Sequence, residues 1–384
     1  MNKIKIAFYI PNLTIGGAEQ AMARLLQGLN KEIFQISLLL AEAKGPFLKK
    51  IPPEVSIYNF NTPYVKKTFF RLIKYLQKEK PQILVSFLTP TNIICILAKV
   101  FSKTNTKIII SERITFSQTP KIVKGIIDKL RIAFLLKPLV RLTYPFADAI
   151  VCVSKGVAED ISHFLPSSKR NKIKVIYNPV VNNELFTLAN QPVDHPWFLN
   201  KDIPLILAVG RLHKQKDYPT LLKAFALISK KKKVRLVILG EGEERKNLEK
   251  LINKLNISEN IDLPGFEENP YKYMKRASVF GLSSKLEGFP NVLVEAMATG
   301  VPVVSTDCLS GPNEIIQNGK NGILVPVGDE KALAEAVLKI LNNPSLAQKF
   351  SLEGEKTAKN FTIERSVKEY EKLFYEVLNY EKIL

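Results

Sequence analysis

Two acids eight residues apart, Glu287 and Glu295, bracket the run Gly288-Phe289-Pro290-Asn291-Val292-Leu293. The short apolar run 277–282 before them predicts a strand, and Gly288 and Pro290 mark a loop. Asn291 is a good N-cap residue, and Val292, Leu293, Ala296 and Met297 then recur at helical spacing. Gly300 and Pro302 stop that helix, and 303–305 begins another strand. The first amides of a helix lack internal partners and carry the positive end of its dipole. A phosphate or sugar oxygen can therefore rest on the amides after Gly288. One carboxylate at the loop mouth and one on the helix wall can each accept bonds from neighbouring hydroxyls of a sugar or ribose. The same spacing also fits an ordinary βαβ unit with two surface acids.

Cations gather at a second strand end. Gly210-Arg211-Leu-His-Lys214-Gln-Lys216-Asp217 follows the apolar run 205–209. Two or three cations in such a loop suit a diphosphate, and Asp217 can cap the next helix. Near the start, Gly16-Gly17-Ala18-Glu19 lies between a first strand at 3–10 and a first helix at 18–29. Paired glycines let a ligand approach the backbone closely, but the pattern is not G-x-G-x-x-G and predicts no dinucleotide site. Ser111-Glu112-Arg113 sits just past another strand end, where ligands of parallel sheets gather. An exposed Glu112–Arg113 ion pair accounts for that tripeptide equally well. His163, His195 and His213 are read as incidental.

The elements that must position these residues form an α/β pattern. Short Ile/Val/Leu runs at 3–10, 33–40, 83–87, 107–111 and 149–153 predict buried parallel strands, separated by helices at 18–29, 66–78, 91–101 and 121–142. That is a doubly wound domain. After a strand at 174–177, Asn178-Pro179 marks a crossing, and 182–203 reads as irregular. A second α/β unit begins at Leu205 and ends in helices at 332–341, 345–358 and 362–378.

The chain has 384 residues, 46% hydrophobic, enough for two domains of ordinary size. It opens straight into the first strand, so no leader is expected, and no apolar run approaches the ~18 residues of a membrane span. Cys95, Cys152 and Cys308 stand far apart in apolar surroundings, which predicts reduced core thiols rather than a disulfide framework or a zinc site. The net charge is +20, and residues 1–180 hold 28 Lys/Arg against 10 Asp/Glu. So one-sided an excess points to an anionic partner, nucleic acid or an acidic membrane surface, unless it is merely a solvated face. Two stretches mix cations with apolar residues as an interfacial helix does: Lys66-Lys67-Thr-Phe69-Phe70-Arg71-Leu-Ile-Lys74-Tyr75, and 121–144 with Lys124, Lys129, Arg131, Lys137 and Arg141. Phe69, Leu72, Ile73 and Leu76 have the spacing to pack on the sheet, leaving Phe70 and the cations outward.

Glu287-Gly-Phe-Pro-Asn-Val-Leu-Val-Glu295 resembles the E-x7-E motif of retaining glycosyltransferases of family 4, and GFPNVLVEAMATGVPVVSTD resembles the family consensus nearly throughout. The resemblance covers almost the whole chain and is strongest over 205–330. It implies the GT-B fold: two Rossmann-like doubly wound domains facing a cleft. In that arrangement 1–180 binds the acceptor and faces the membrane, 181–362 binds the donor, and 363–384 crosses back to the first domain. By likeness, Arg211 and Lys216 neutralise the leaving nucleoside diphosphate, joined by amides of the Gly288–Leu293 segment. Glu295 holds the ribose and Glu287 the transferring sugar. Gly16 and Gly17 face the diphosphate, and the backbone at Gly265-Phe266 reads the base. Many relatives carry a histidine near Glu112-Arg113 and this chain does not. Glu112 is then expected to contact the acceptor or transferring sugar and Arg113 an acceptor phosphate.

The expected reaction is transfer of a hexose or N-acetylhexosamine from a UDP-sugar to an undecaprenyl-diphosphate-linked saccharide, similar to bacterial N-acetylgalactosaminyltransferases that extend lipid-linked glycans. No cofactor is expected, because no Asp-x-Asp signature occurs and side-chain cations can replace a metal. The expected location is the cytoplasmic face of the inner membrane, with peripheral attachment. Alternatives are an epimerase-like nucleotide-sugar enzyme or a transferase with a soluble or GDP-linked substrate. A phosphorylase would need a pyridoxal-phosphate lysine motif, which is missing. A nucleic-acid-binding protein would need a recognition module, and none is present.

Overall fold

Runs of Ile, Val and Leu that cannot face water on either side of a sheet build the core of a first unit. The computed structural model describes residues 3–14, 16–121, 132–199 and 202–379, and the chain divides into two compact units, Met1–Pro179 with Ile363–Leu384, and Val180–Thr362. Among the described residues the first unit holds seven strands: β1 (Ile4–Ile10), β2 (Phe34–Leu40), β3 (Ser56–Asn59), β4 (Ile83–Phe87), β5 (Lys107–Glu112), β6 (Ala149–Cys152) and β7 (Ile173–Val175). They form one parallel sheet in the order β3-β2-β1-β4-β5-β6-β7. Strand order reverses between β1 and β4, so the loops after these strands diverge and leave a crevice at their carboxyl ends. β3 was not legible in the sequence, since Ser-Ile-Tyr-Asn has no apolar alternation and all four residues are exposed on the sheet edge.

The terminal helix Ile363–Leu378 packs on the first helix, Gly17–Gly28, and on the sheet. Phe374 meets Phe8 and Phe34 edge-on, with ring centroids 6.3 and 5.8 Å apart. The close approach depends on Gly28, where a Cβ would lie 2.5 Å from Val367 Cγ2.

Among the described residues the second unit has six parallel strands, β8 (Leu205–Val209), β9 (Arg235–Leu239), β10 (Ile261–Gly265), β11 (Val279–Leu282), β12 (Val303–Thr306) and β13 (Ile323–Val325). Their order is β10-β9-β8-β11-β12-β13, with the reversal between β8 and β11. The helices Tyr218–Ser229 and Glu330–Leu341 bury Leu221, Leu222, Phe225, Val337 and Ile340 in its core.

Two local expectations are corrected. Asn291 is not a cap: the helix is Asn291–Ala298, Pro290 holds the cap position, and the Leu293 N–H donates to the Pro290 carbonyl at 3.0 Å. Residues 182–203 are not irregular throughout, because Asn182 accepts the Leu185 N–H at 3.0 Å and starts the helix Asn183–Ala189, and a short helix Pro196–Leu199 follows. The long helix expected over 121–142 is described only from a π-type turn Ile132–Leu136 into the helix Lys137–Thr143. Lys124, Lys129 and Arg131 lie outside the described residues.

Candidate active site

In the second unit the loops that follow β8 and β11 meet on either side of the strand-order reversal. Gly210 ends β8 with φ +154°, and a Cβ there would lie 3.3 Å from Lys216 Cε. At the end of neighbouring β9, a Cβ on Gly240 would lie 2.0 Å from the Gly210 carbonyl oxygen, so only glycine lets these backbones touch. Arg211 projects into solvent from this loop. Residues Lys214–Lys216 form a tight turn, started by His213, whose Nδ1 accepts the Gln215 N–H at 3.2 Å. His213 therefore has a local structural task that the sequence did not indicate.

Lys216 reaches back to Glu287. Its Nζ donates to Glu287 Oε1 at 2.6 Å, and Ser284 Oγ donates to the same oxygen at 2.6 Å. Glu287 is 6% exposed and Glu295 only 2%, which excludes the reading of both as surface acids. A buried carboxylate is costly unless charge and hydrogen bonds compensate it. Here the lysine supplies charge, Ser284 holds the same oxygen, and Ser310 Oγ donates to the Glu287 carbonyl at 2.6 Å. Glu295, one turn into the helix, accepts the Tyr271 hydroxyl at 3.3 Å.

The loop Gly288-Phe289-Pro290 is pressed against Gly311, which has φ +92°, and a Cβ there would sit 2.6 Å from Pro290 Cδ. Phe289 is anchored against Phe361 with ring centroids 5.2 Å apart. The loop thus delivers Asn291 and the partly exposed Val292 at the amino end of the helix, while Leu293 is buried beneath them. At the end of β10, Gly265 takes φ +99° and its carbonyl accepts the Gly240 N–H at 2.7 Å. Phe266 beside it is 47% exposed. Ser284, Ser310, Gly311 and Tyr271 were missed in the sequence. Only the Ser-Gly-Pro turn signal at 310–312 could have flagged any of them.

The first unit brings a different set together at the carboxyl ends of β1, β4 and β5. Gly16 has extended backbone, and the Glu19 side chain folds over it so closely that a Cβ would overlap the carboxylate. Gly17 opens the helix. Glu112 is 1% exposed and forms no ion pair with Arg113 among the described residues. Its oxygens instead accept from Asn92 Nδ2 at 2.8 Å, from Thr89 Oγ1 at 3.1 Å and from the Tyr144 hydroxyl. Burial pushes its carboxyl up to about 7, against the opposing pull of those three donors. Arg113 stacks 4.3 Å over the Phe87 ring and donates to Ser111 Oγ at 3.3 Å. Burial lowers its basicity, while Tyr370 of the terminal helix and Glu19 act to restore it. The glycine loop, Arg113 and the terminal helix therefore share one electrostatic neighbourhood.

Chemically, the second unit offers a part-buried Lys–Glu pair, an outward arginine and a helix amino end, a set suited to an anion joined to a polyhydroxylated group. The fold is that of GT-B glycosyltransferases. HepE of Anabaena, solved with UDP and glucose, superposes with a TM-score of 0.78 at 17% identity, covering 97% of this chain and all of that one. Residues 15–183 match the model described as Glycosyltransferase Family 4, and residues 193–357 that described as Glycosyl transferases group 1. A Campylobacter jejuni protein, N-acetylgalactosamine-N,N'-diacetylbacillosaminyl-diphospho-undecaprenol 4-alpha-N-acetylgalactosaminyltransferase, is 32% identical over 93% of this chain and 95% of its own length. A second C. jejuni alpha-1,4-N-acetyl-D-galactosaminyltransferase, named for a diNAcBac-PP-undecaprenol saccharide bearing two GalNAc residues, is 31% identical over 98% of this chain and 99% of its own. The chain belongs to this family of glycosyltransferases.

Proposed function

We propose that this glycosyltransferase moves a hexose or N-acetylhexosamine from a UDP-sugar, with retained anomeric configuration and without a metal, onto a saccharide carried on undecaprenyl diphosphate. The observation that carries the reading is the part-buried Lys216–Glu287 pair beside the amino end of the Asn291–Ala298 helix. The lysine and the exposed Arg211 take up charge on the departing diphosphate, aided by amides after Gly288. A donor so placed lowers a barrier by roughly 3 kcal/mol. These groups do the work a metal does elsewhere. Glu287 holds hydroxyls of the transferring sugar and Glu295 those of the ribose, with Gly265 and Phe266 at the base. The acceptor hydroxyl attacks the anomeric carbon on the face the diphosphate leaves. The new C–O bond forms as the old one breaks, and the acceptor proton passes to the departing phosphate oxygen.

The acceptor class is supported by the two C. jejuni relatives, both named for saccharides on undecaprenyl diphosphate. The first unit is assigned to it, with Arg113 toward an acceptor phosphate. Glu112, enclosed by protein donors, is assigned to holding that region in place rather than to touching sugar. No described helix is long and apolar enough to cross a membrane. Attachment to the cytoplasmic face of the inner membrane is instead assigned to an exposed surface of the first unit. Phe70, Phe101 and Phe134 are 74%, 62% and 78% exposed there, among exposed Lys66, Lys67, Lys74 and Arg141.

The reading is tested by UDP release from a panel of UDP-hexoses and UDP-N-acetylhexosamines, with a lipid extract and EDTA present. Release specific to one donor is expected, reduced ~10²-fold or more in Lys216→Ala and Glu295→Ala. Nuclear magnetic resonance of the product should show the donor's anomeric configuration. Loss of release in EDTA that added metal restores, or an inverted product, would overturn the corresponding part.

A further inference from the structure

The residue after Lys216 is held in a conformation that asks for a reason. Asp217 has φ 47° and ψ 45°, the left-handed region that residues other than glycine, asparagine and aspartate seldom adopt. It occupies the cap position of the helix Tyr218–Ser229, yet its carboxylate bonds no helix amide. Instead Oδ2 accepts the Thr220 hydroxyl at 2.7 Å and Oδ1 accepts Lys285 Nζ at 2.9 Å. The Asp217 side chain is 4% exposed and the Lys285 side chain 54%, so a buried acid faces a lysine that reaches in from the surface.

Lys285 belongs to the loop after β11, and further bonds join the same two loops. The Lys285 N–H donates to the Gln215 carbonyl at 2.8 Å and Gln215 Nε2 to the Leu286 carbonyl at 2.7 Å. Ser283 Oγ donates to the Lys216 carbonyl at 2.8 Å. The Lys216–Glu287 bond is the last rung of this ladder. β8 and β11 are hydrogen-bonded neighbours on either side of the order reversal, so the ladder spans the point where the loops would otherwise diverge.

We propose that Asp217 and Lys285 are a positioning pair. Their ion pair latches the loop after β8 to the loop after β11, and so holds Lys216 and Glu287 in register before a donor arrives. The inference rests on the reading of Lys216 and Glu287 as donor-site residues. A cation aimed in advance at the charge that develops costs no reorganisation during reaction, whereas an unlatched loop must be ordered each time. The latch therefore acts on turnover more than on donor affinity.

Two measurements separate the latch from the reading beneath it. In the protein without ligand, hydrogen–deuterium exchange should be faster at 283–288 and 213–217 in Asp217→Asn and in Lys285→Met than in the wild type. Asparagine keeps the size and the tolerance for left-handed backbone and removes only the charge. Unchanged exchange in both variants would overturn the latch, whatever the enzyme's substrate. In UDP-release kinetics, each variant should lower kcat by about tenfold with KM for the donor changed less than about threefold. The double variant should be no worse than either single one, since both remove one contact. Asp217→Gly, which keeps the backbone free of strain, should show the same loss. Full kcat with only a lowered Tm would make the pair structural and overturn its catalytic role. Multiplying losses would do the same. If the wild type releases UDP from no donor, the donor-site reading fails, and the exchange experiment alone still decides whether the latch exists.

Discussion

Glu112 is a carboxyl group in the interior with no cationic partner among the described residues. Thr89, Asn92 and Tyr144 donate to it, yet desolvation outweighs them, with Asp160 adding repulsion, and its pKa rises from 4.5 to about 7. In the unfolded chain it ionises near its ordinary value, so between about pH 4.5 and 7 the folded state binds the extra proton. Stability from this group is therefore fully present at low pH and is lost as pH rises through that window. The full effect is on the order of 3 kcal/mol, at about 1.4 kcal/mol per unit. In Glu112→Gln, neutral at all pH, thermal scans from pH 5 to 8 should show a flatter Tm profile, the wild type losing ground relative to it as pH rises. Parallel profiles would mean that the carboxyl titrates normally. Glu287 is satisfied differently: its nearly buried carboxylate faces the part-exposed Lys216, and removing the lysine would strand the acid.

At the scale of elements, glycines set the distances that helices and loops must keep. Gly28 is the contact point between the first and terminal helices, where a Cβ would also lie 2.8 Å from Ile363 Cγ2. In Gly28→Ala the terminal helix must shift, at a cost of about 1–3 kcal/mol as in other overpacked cores. Denaturant unfolding should show that loss, and Val367→Ala in the same chain should recover part of it. An unshifted midpoint would mean that the terminal helix is loosely held. The shift should also reach Arg113, because Tyr370 lies on the same helix and acts on its guanidinium.

For the molecule as a whole, charge is divided unevenly along the chain. Residues 1–180 carry almost the entire excess of the +20 net charge. Leu72 and Leu76 are fully buried, so the helix Phe69–Glu79 turns its apolar face inward and leaves Phe70 and Lys74 outside, with Lys66 and Lys67 exposed on the turn before it. Sedimentation with phosphatidylglycerol vesicles should capture the protein at low salt and release most of it at about 0.5 M salt, where exposed charges are screened. A Phe70→Ser/Phe134→Ser variant should bind several-fold more weakly with its melting temperature unchanged, since both rings already face solvent. Equal capture by neutral vesicles at high salt would point away from an electrostatic surface.

The buried strands of the first sheet and β8, β11 and β12 of the second were legible because a run such as Ile6-Ala-Phe-Tyr-Ile10 has no other stable place than the middle of a covered sheet. The strand–loop–helix order around Glu287 and Glu295 was legible too, because glycine, proline and apolar spacing act locally. The edge strand β3 and the helix Asn183–Ala189 were not, since one is polar and exposed and the other depends on a side-chain cap. The sequence by itself determined the kinds of residue present at each strand end and, through the spacing of the acids, the family. Tertiary structure decided which of them meet: Lys216 with Glu287 across 71 residues, and Glu112 with Thr89, Asn92 and Tyr144 rather than with Arg113 next to it. The physical reason is that burial sets the cost of each charge, so a buried carboxylate is satisfied by whichever donors the packed fold brings to it, however far away in the chain.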